Sequence, residues 1–221
     1  MKKMKKTTYG VIGLGRFGMA LATTLAKAGN DIIALDRDPE RVKQVRNLTE
    51  YAFVCENLNQ ETLEEAGIRN CDVVVVCIGT MIDVSILTTL HLVNLGVEKI
   101  IAKATTRDQG MILEKLGAQV VYPEHDMAIR LAGKLMAKHV IDFFSINKKT
   151  QIYEVKVPDE LVGKTVLSSN IRKRYGLNII AIEHNNETIT DIDPNQEFKA
   201  GDGIVLIGDI MSLEKFETDF S

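Results

Sequence analysis

The stretch GVIGLGRFG, residues 10–18, decides how the rest of the chain is read. A short apolar run closes in glycines at positions 13, 15 and 18, with Arg16 and Phe17 between the last two. That spacing suits a buried strand that turns sharply into a helix. Gly13 permits the tight turn, Gly15 lets the backbone approach a phosphate with no Cβ in the way, and Gly18 lets the helix pack closely on its strand. The first N–H groups of that helix then face the anion. Glycine-rich turns are common, so context matters. Here an apolar run precedes and a helical period follows, and Asp36 ends the next apolar run, DIIALD (31–36), about 20 residues on. An acidic side chain there accepts hydrogen bonds from both ribose hydroxyls and repels a 2′-phosphate, which argues against NADP. The plain alternative for Asp36 is a turn former ahead of RDPE (37–40).

Outward from this motif the pattern repeats. Near-continuous apolar runs at YGVIG (9–13), DIIALD (31–36), AFVC (52–55), DVVVVCI (72–78), KIIAKA (99–104) and AQVVY (118–122) read as strands buried on both faces of a parallel sheet. Segments of helical period lie between them, near 16–28, 39–47, 60–66, 82–95 and 107–116. Most end at a glycine suited to a left-handed cap: Gly29, Gly67, Gly96 and Gly117. This alternation predicts the α/β class, a doubly wound, Rossmann-like parallel sheet with right-handed crossovers.

The remainder reads differently. Ala132, Leu135, Met136, Val140, Phe143 and Phe144 recur at helical spacing. They predict one amphipathic helix, packed either on this chain's own core or, as a crossover helix, on a second subunit. SINKKTQ (145–151) reads as a hinge. Beyond it, YEVKV (153–157) alternates with period two, and LNIIAI and GIVLIG are further strands, with a turn signal at HNNE. With a helix near 166–175, this makes a small α+β unit of the size that gains stability by pairing.

Composition limits the partners. A net charge of −3 over 221 residues leaves no basic face for nucleic acid, and MKKMKK at the start reads as a solvated tail. No apolar stretch approaches the ~20 residues of a membrane span, and a soluble, cytosolic protein is expected. The three cysteines, 55, 71 and 77, lack metal-ligand spacing and read as small buried hydrophobes. The histidines at 91, 125, 139 and 184 are scattered with no partner motif, and no catalytic triad or Walker lysine is visible. A nucleotide held as a signal is therefore favoured over one consumed as a reactant. An NAD(H)-binding redox sensor or small NAD-dependent dehydrogenase is the alternative. Arg16 fits the first reading, since a guanidinium inside the loop reaches a terminal phosphate and distinguishes ATP from ADP; as an exposed residue on the first turn it would do neither.

YGVIGLGRFGMALATTLAKAG, LDRDPERV, EEAGIRNCDVVVVCIG and IIAKATTRDQGMILEKLGAQVVYPEHDMA together resemble the amino-terminal RCK (KTN, TrkA-N) domain of cytosolic gating subunits of Trk/Ktr-type potassium transporters. The segment VPDELVGKTVLSSNIRKRYGLNIIAIEH with its continuation to GIVLIGD resembles their carboxy-terminal RCK_C (TrkA-C) domain. The resemblance implies two domains, 1–144 with the crossover helix and 145–221. It also implies a homo-oligomeric ring, commonly an octamer built from dimers, docked from the cytoplasm beneath a potassium-conducting membrane subunit, with no catalysis. ATP or ADP would bind the first domain, with Gly13, Gly15, Arg16 and Gly18 at the phosphates, Asp36 at the ribose, and Phe17 and Arg37 among the other binding residues. Asn57 and Leu58 would lie near the base, while Ile78, Gly79 and Lys103 would border the crevice. Where many relatives carry a GDA-like segment this chain has CEN (55–57), so the base contact is left open. Glu124 matches an acidic position that helps bind Mg²⁺ or Ca²⁺ beside the phosphates; helix capping explains a glutamate there equally well. In the second domain the resemblance implies cyclic di-AMP at a twofold axis, against Ile171, Arg172, Asn178, Ile179 and His184. The plain alternative makes Arg172 part of a solvated helix face and Asn178 a turn residue.

Overall fold

The computed structural model describes residues 6–136, 140–147, 149–185 and 187–220. The chain divides after Glu124 into two compact units. In the first, strands β1 (Thr8–Ile12), β2 (Asp31–Asp36), β3 (Ala52–Val54), β4 (Val73–Val76), β5 (Ile100–Lys103) and β6 (Gln119–Val121) alternate with helices α1 (Arg16–Lys27), α2 (Pro39–Val45), α3 (Gln60–Glu65), α4 (Ile82–Asn94) and α5 (Arg107–Lys115). The six strands form one sheet in the order β3-β2-β1-β4-β5-β6, every pair parallel. Each expected strand and helix of this unit is present.

Both sheet faces are covered, which is why the strands read as unbroken apolar runs. Ile12, Leu35, Val74 and Val76 join a core on one face, and their neighbours Val11, Ala34, Val73 and Val75 join a core on the other. Local signals fix the helix ends. Asp38 caps α2 by accepting from the Glu40 N–H at 3.0 Å, with Pro39 in the first turn. Asn59 and Thr106 cap α3 and α5 in the same way.

The second unit begins within helix α6 (Pro123–Met136) and continues through β7 (Val140–Ser145), β8 (Thr150–Lys156), α7 (Val166–Ser169), α8 (Ile171–Tyr175), β9 (Asn178–His184), β10 (Glu187–Ile189), β11 (Gly203–Asp209) and α9 (Ile210–Asp219). Its five strands form an antiparallel sheet in the order β10-β9-β11-β8-β7. Tyr153, Val155, Ile182, Ile204 and Leu206 from the sheet pack with Tyr175, Phe216 and Phe220 from the helices.

Several expectations need correction here. The helical run does not continue to Phe144: Val140, Phe143 and Phe144 lie on β7, paired with β8. VIDFFS is rich in β-branched and aromatic residues, and a cross-strand partner settles its conformation. The expected hinge SINKKTQ has its ends in paired strands, Ser145 of β7 opposite Gln151 of β8, while its Lys148 lies outside the described residues. The Asn147 Oδ1 accepts from the N–H groups of Lys149 and Thr150, both at 2.9 Å, and the Ile146 N–H donates to the Thr150 carbonyl. The compact units part after Glu124, and β7 pairs with β8 inside the second. The helix expected near 166–175 is two short ones, broken at Asn170 in the left-handed region, φ 52°.

Helix α6 is held to β7. Asp142 accepts from Arg130 through both carboxylate oxygens and pairs with Lys134 at 3.1 Å. The Arg130 hydrogen bond, aided by Lys134, holds the Asp142 carboxyl well below the usual carboxylate range. Gly133 lies under the Phe143 ring, where a Cβ would come within 2.3 Å of it. Met127, Leu131 and Leu135, spaced four apart on α6, are exposed. Among the described residues no helix is long and apolar enough to cross a membrane.

Candidate functional site

In the first sheet the strand order reverses between β1 and β4, which opens a crevice at the carboxyl ends of the strands. A cavity of about 380 Å³ lies there. Gly13, Gly15 and Arg16 line it from the first turn; Asp36 and Arg37 from the end of β2 and Arg41 from α2; Cys55, Glu56 and Leu58 from beyond β3; and Ile78, Gly79, Thr80 and Met81 from beyond β4. Leu35, Cys77, Val84 and Lys103 complete the wall.

The three glycines have separate geometric reasons. Gly13 has φ +94°, and its N–H donates to the Leu35 carbonyl at 2.7 Å. A Cβ at Gly15 would meet nothing within 4 Å. At Gly18 a Cβ would lie 1.9 Å from the Gly13 carbonyl oxygen, so α1 seats on the turn only without one. Gly18 itself is behind the lining.

Asp36 is buried, and its carboxylate braces the turn. One oxygen accepts from the Leu14 N–H at 2.5 Å, the other from the Asp38 N–H at 2.8 Å, and Arg41 stands 3.7 Å away. A carboxylate offers about four lone-pair sites, which leaves capacity for two ribose hydroxyls. Arg37 lies across the mouth with one guanidinium nitrogen 3.4 Å from the Met81 sulfur.

At the other end, the Lys103 ammonium is almost fully buried and lies 2.5 Å from the Glu124 Oε1. It fits against Gly79, whose missing Cβ would be 3.3 Å from the Nζ, and it stands 6.0 Å from the centre of the Phe17 ring. Phe17 itself is not on the cavity wall. The Lys103 hydrogen bond holds the Glu124 carboxyl below its ordinary range, and the Arg16 charge adds to this. Among the described residues no group of three or more histidines, cysteines or acids could hold a metal. Glu124 is a single carboxylate facing an ammonium.

Asn57 is exposed and off the cavity; its neighbour Glu56 lines it instead. Sequence reasoning also missed Arg41, Met81 and Val84. Arg41 had one usable signal, its place one helical turn beyond Asp38 in RDPER; the others had none. The cysteines are free and buried, and burial pushes the Cys71 thiol up to about 11 and the Cys77 thiol up to about 12. They stay protonated and unreactive at neutral pH.

In the second unit the expected ligand residues differ in exposure. Ile171 is 1% exposed within the core, and Ile179 packs against the same core. Arg172 and Asn178 are exposed. His184 is committed internally: its Nδ1 lies 2.6 Å from the buried Asp202 carboxylate, and its Nε2 lies 3.1 Å from the Asn185 amide.

The chain thus joins a doubly wound unit, with a crevice at its switch point, to a small antiparallel α+β unit. Residues 9–123 match the TrkA-N domain family and residues 151–221 the TrkA-C domain family. The Ktr system potassium uptake protein C of Bacillus subtilis (strain 168) is 34% identical over 213 residues, 96% of each chain. Protein A of the same system and organism is 30% identical over 220 residues, 99% of each chain. The solved GsuK channel, 22% identical, superposes with a TM-score of 0.54 over 97% of this chain and 38% of its own length, and so shares the fold. The chain belongs to the TrkA/Ktr family of potassium-transport regulators, a non-enzymatic RCK gating family.

Proposed function

We propose that this chain is the cytosolic gating subunit of a potassium uptake transporter and that it senses ATP and ADP in the crevice of its first domain. The observation that carries this reading is the meeting of four features around one cavity: the glycine turn, the buried Asp36, Arg16 and Lys103. They supply a ribose acceptor and two phosphate-seeking cations. The cavity has no histidine to act as an acid–base group, and its cysteines are protonated.

A ligand can shift an assembly only by binding its states unequally. The γ-phosphate is the difference between ATP and ADP, and Arg16 is the residue placed to feel it. We read the assembly as a homo-oligomeric ring, an octamer built from dimers, under a potassium-conducting membrane subunit. Leu87, Leu90 and Val93 on α4, Met111 and Ile112 on α5, and Met127, Leu131 and Leu135 on α6 are exposed apolar side chains suited to subunit contacts. A Mg²⁺ or Ca²⁺ ion beside Glu124 would need the phosphates and a neighbouring subunit for most of its ligands. In the second domain, cyclic di-AMP at a twofold axis would use the exposed Arg172 and Asn178, with Ile171 and Ile179 as the support beneath and His184 released from Asp202.

NAD(H) is the second reading, since Asp36 suits its ribose equally and the GsuK channel bound to NAD shares this fold. Thermal-shift titration with ATP, ADP, NADH, NADPH and cyclic di-AMP separates the readings. Strong stabilisation by ATP and ADP with little by NADH supports gating by adenine nucleotides; the reverse order supports the redox reading. Arg16→Ala is expected to narrow the affinity difference between ATP and ADP by about tenfold, within the range of a charge-assisted hydrogen bond. An unchanged ratio would remove Arg16 from that role.

A further inference from the structure

We infer that Glu124 is an internal stand-in for a ligand phosphate: it neutralises the buried Lys103 ammonium in the unliganded protein and is displaced when phosphates enter the crevice. This rests on the reading that the crevice takes adenine nucleotides.

The geometry is asymmetric in a telling way. The Lys103 side chain is 11% exposed and forms part of the cavity wall, whereas the Glu124 side chain is 64% exposed. A buried ammonium requires an anionic partner; an exposed carboxylate does not. Lys103 is also fixed in place. It ends β5, lies against Gly79, and has the Phe17 ring on another side. Glu124 sits in the first turn of α6 and reaches in from outside. Of the two partners, the carboxylate is the one free to leave.

A phosphate over the glycine turn outcompetes it for physical reasons. It carries more charge, it meets the α1 N–H groups and Arg16 as well as Lys103, and it can share the ammonium only by repelling a carboxylate 2.5 Å away. Glu124 therefore opposes nucleotide binding, and its release frees the start of α6. The effect grows with phosphate number, so it is larger for ATP than for AMP. With a divalent cation present, ligation by Glu124 would act with the opposite sign, so the displacement is read in divalent-free buffer.

Calorimetry on the full chain in divalent-free buffer, with ATP and AMP as titrants, tests this. Glu124→Gln is expected to bind ATP about two- to fivefold more tightly than wild type, the span of a half-exposed ion pair, with a smaller gain for AMP. Glu124→Ala serves as the second variant and should give the same gain. Lys103→Gln should weaken ATP binding. In hydrogen exchange, ATP should speed exchange at residues 123–130 of wild type, and Glu124→Gln should start fast and not respond. Wild-type binding with no gain, or a loss, in both Glu124 variants would overturn the displacement. Failure of wild type itself to bind either nucleotide would overturn the nucleotide reading and the displacement together.

Discussion

Gly18→Ala is expected to weaken ATP and ADP binding by about two orders of magnitude, equivalent to roughly 2.7 kcal/mol. The added Cβ would lie 1.9 Å from the Gly13 carbonyl oxygen, a backbone atom that cannot swing aside like a flexible side chain. Either α1 lifts from the turn or the turn itself moves, and overpacking of this kind costs about 1–3 kcal/mol. Both responses would spoil the alignment of N–H groups on which the proposed phosphate site depends. The melting temperature should fall as well. Gly15→Ala is the informative companion, because nothing lies within 4 Å of its added methyl. It should keep wild-type stability and still lose affinity, since the methyl occupies the phosphate's approach. Calorimetry and thermal melting on both variants check the pair. Unchanged affinity in Gly18→Ala would mean that the phosphates do not sit on this turn.

Phe216→Ala is expected to destabilise the second unit by about 3–5 kcal/mol, the usual cost of deleting a fully buried aromatic ring. Phe216 has no exposed surface and lies between two other rings, 5.3 Å from Tyr175 in an edge-on contact and 4.9 Å from Phe220. Helix α9, which carries it, is further tied by the Tyr175 hydroxyl, which donates to Asp219 at 2.7 Å, and by the Arg174–Asp219 pair. Met211→Ala on the exposed side of the same helix should cost almost nothing. Urea unfolding followed by tyrosine fluorescence, as the chain has no tryptophan, would report both changes. A loss below about 1 kcal/mol for Phe216→Ala would show that α9 is not part of this core.

The first unit was legible in the sequence because its signals are local. Strands buried on both faces leave unbroken apolar runs, and Gly29, Gly67, Gly96 and Gly117 all take the positive φ that their place after a helix suggested. The second unit was less so. Val140, Phe143 and Phe144 are spaced three and one apart, which fits a helix as well as a strand, and only the pairing with β8 decides between them. At Asn170 the chain breaks a helix that composition alone would continue. The site divides along the same line. The glycines and Asp36 could be named because chain-local geometry sets their place. Arg41, Met81 and Val84 could not, because the tertiary placement of α2 and of the start of α4 brings them to one cavity. Asn57 shows how sharp the limit is. In the loop after β3, Cys55, Glu56 and Leu58 line the cavity while Asn57 does not. The meeting of Lys103 with Glu124 joins residues 21 apart in sequence, and no spacing rule connects them.

Small-angle scattering on the purified full chain, with its mass checked by light scattering, is the most direct test of gating by adenine nucleotides. A multi-subunit assembly whose scattering profile differs between saturating ATP and saturating ADP is the expected result. A single subunit, or an assembly with the same profile in both nucleotides, would contradict it.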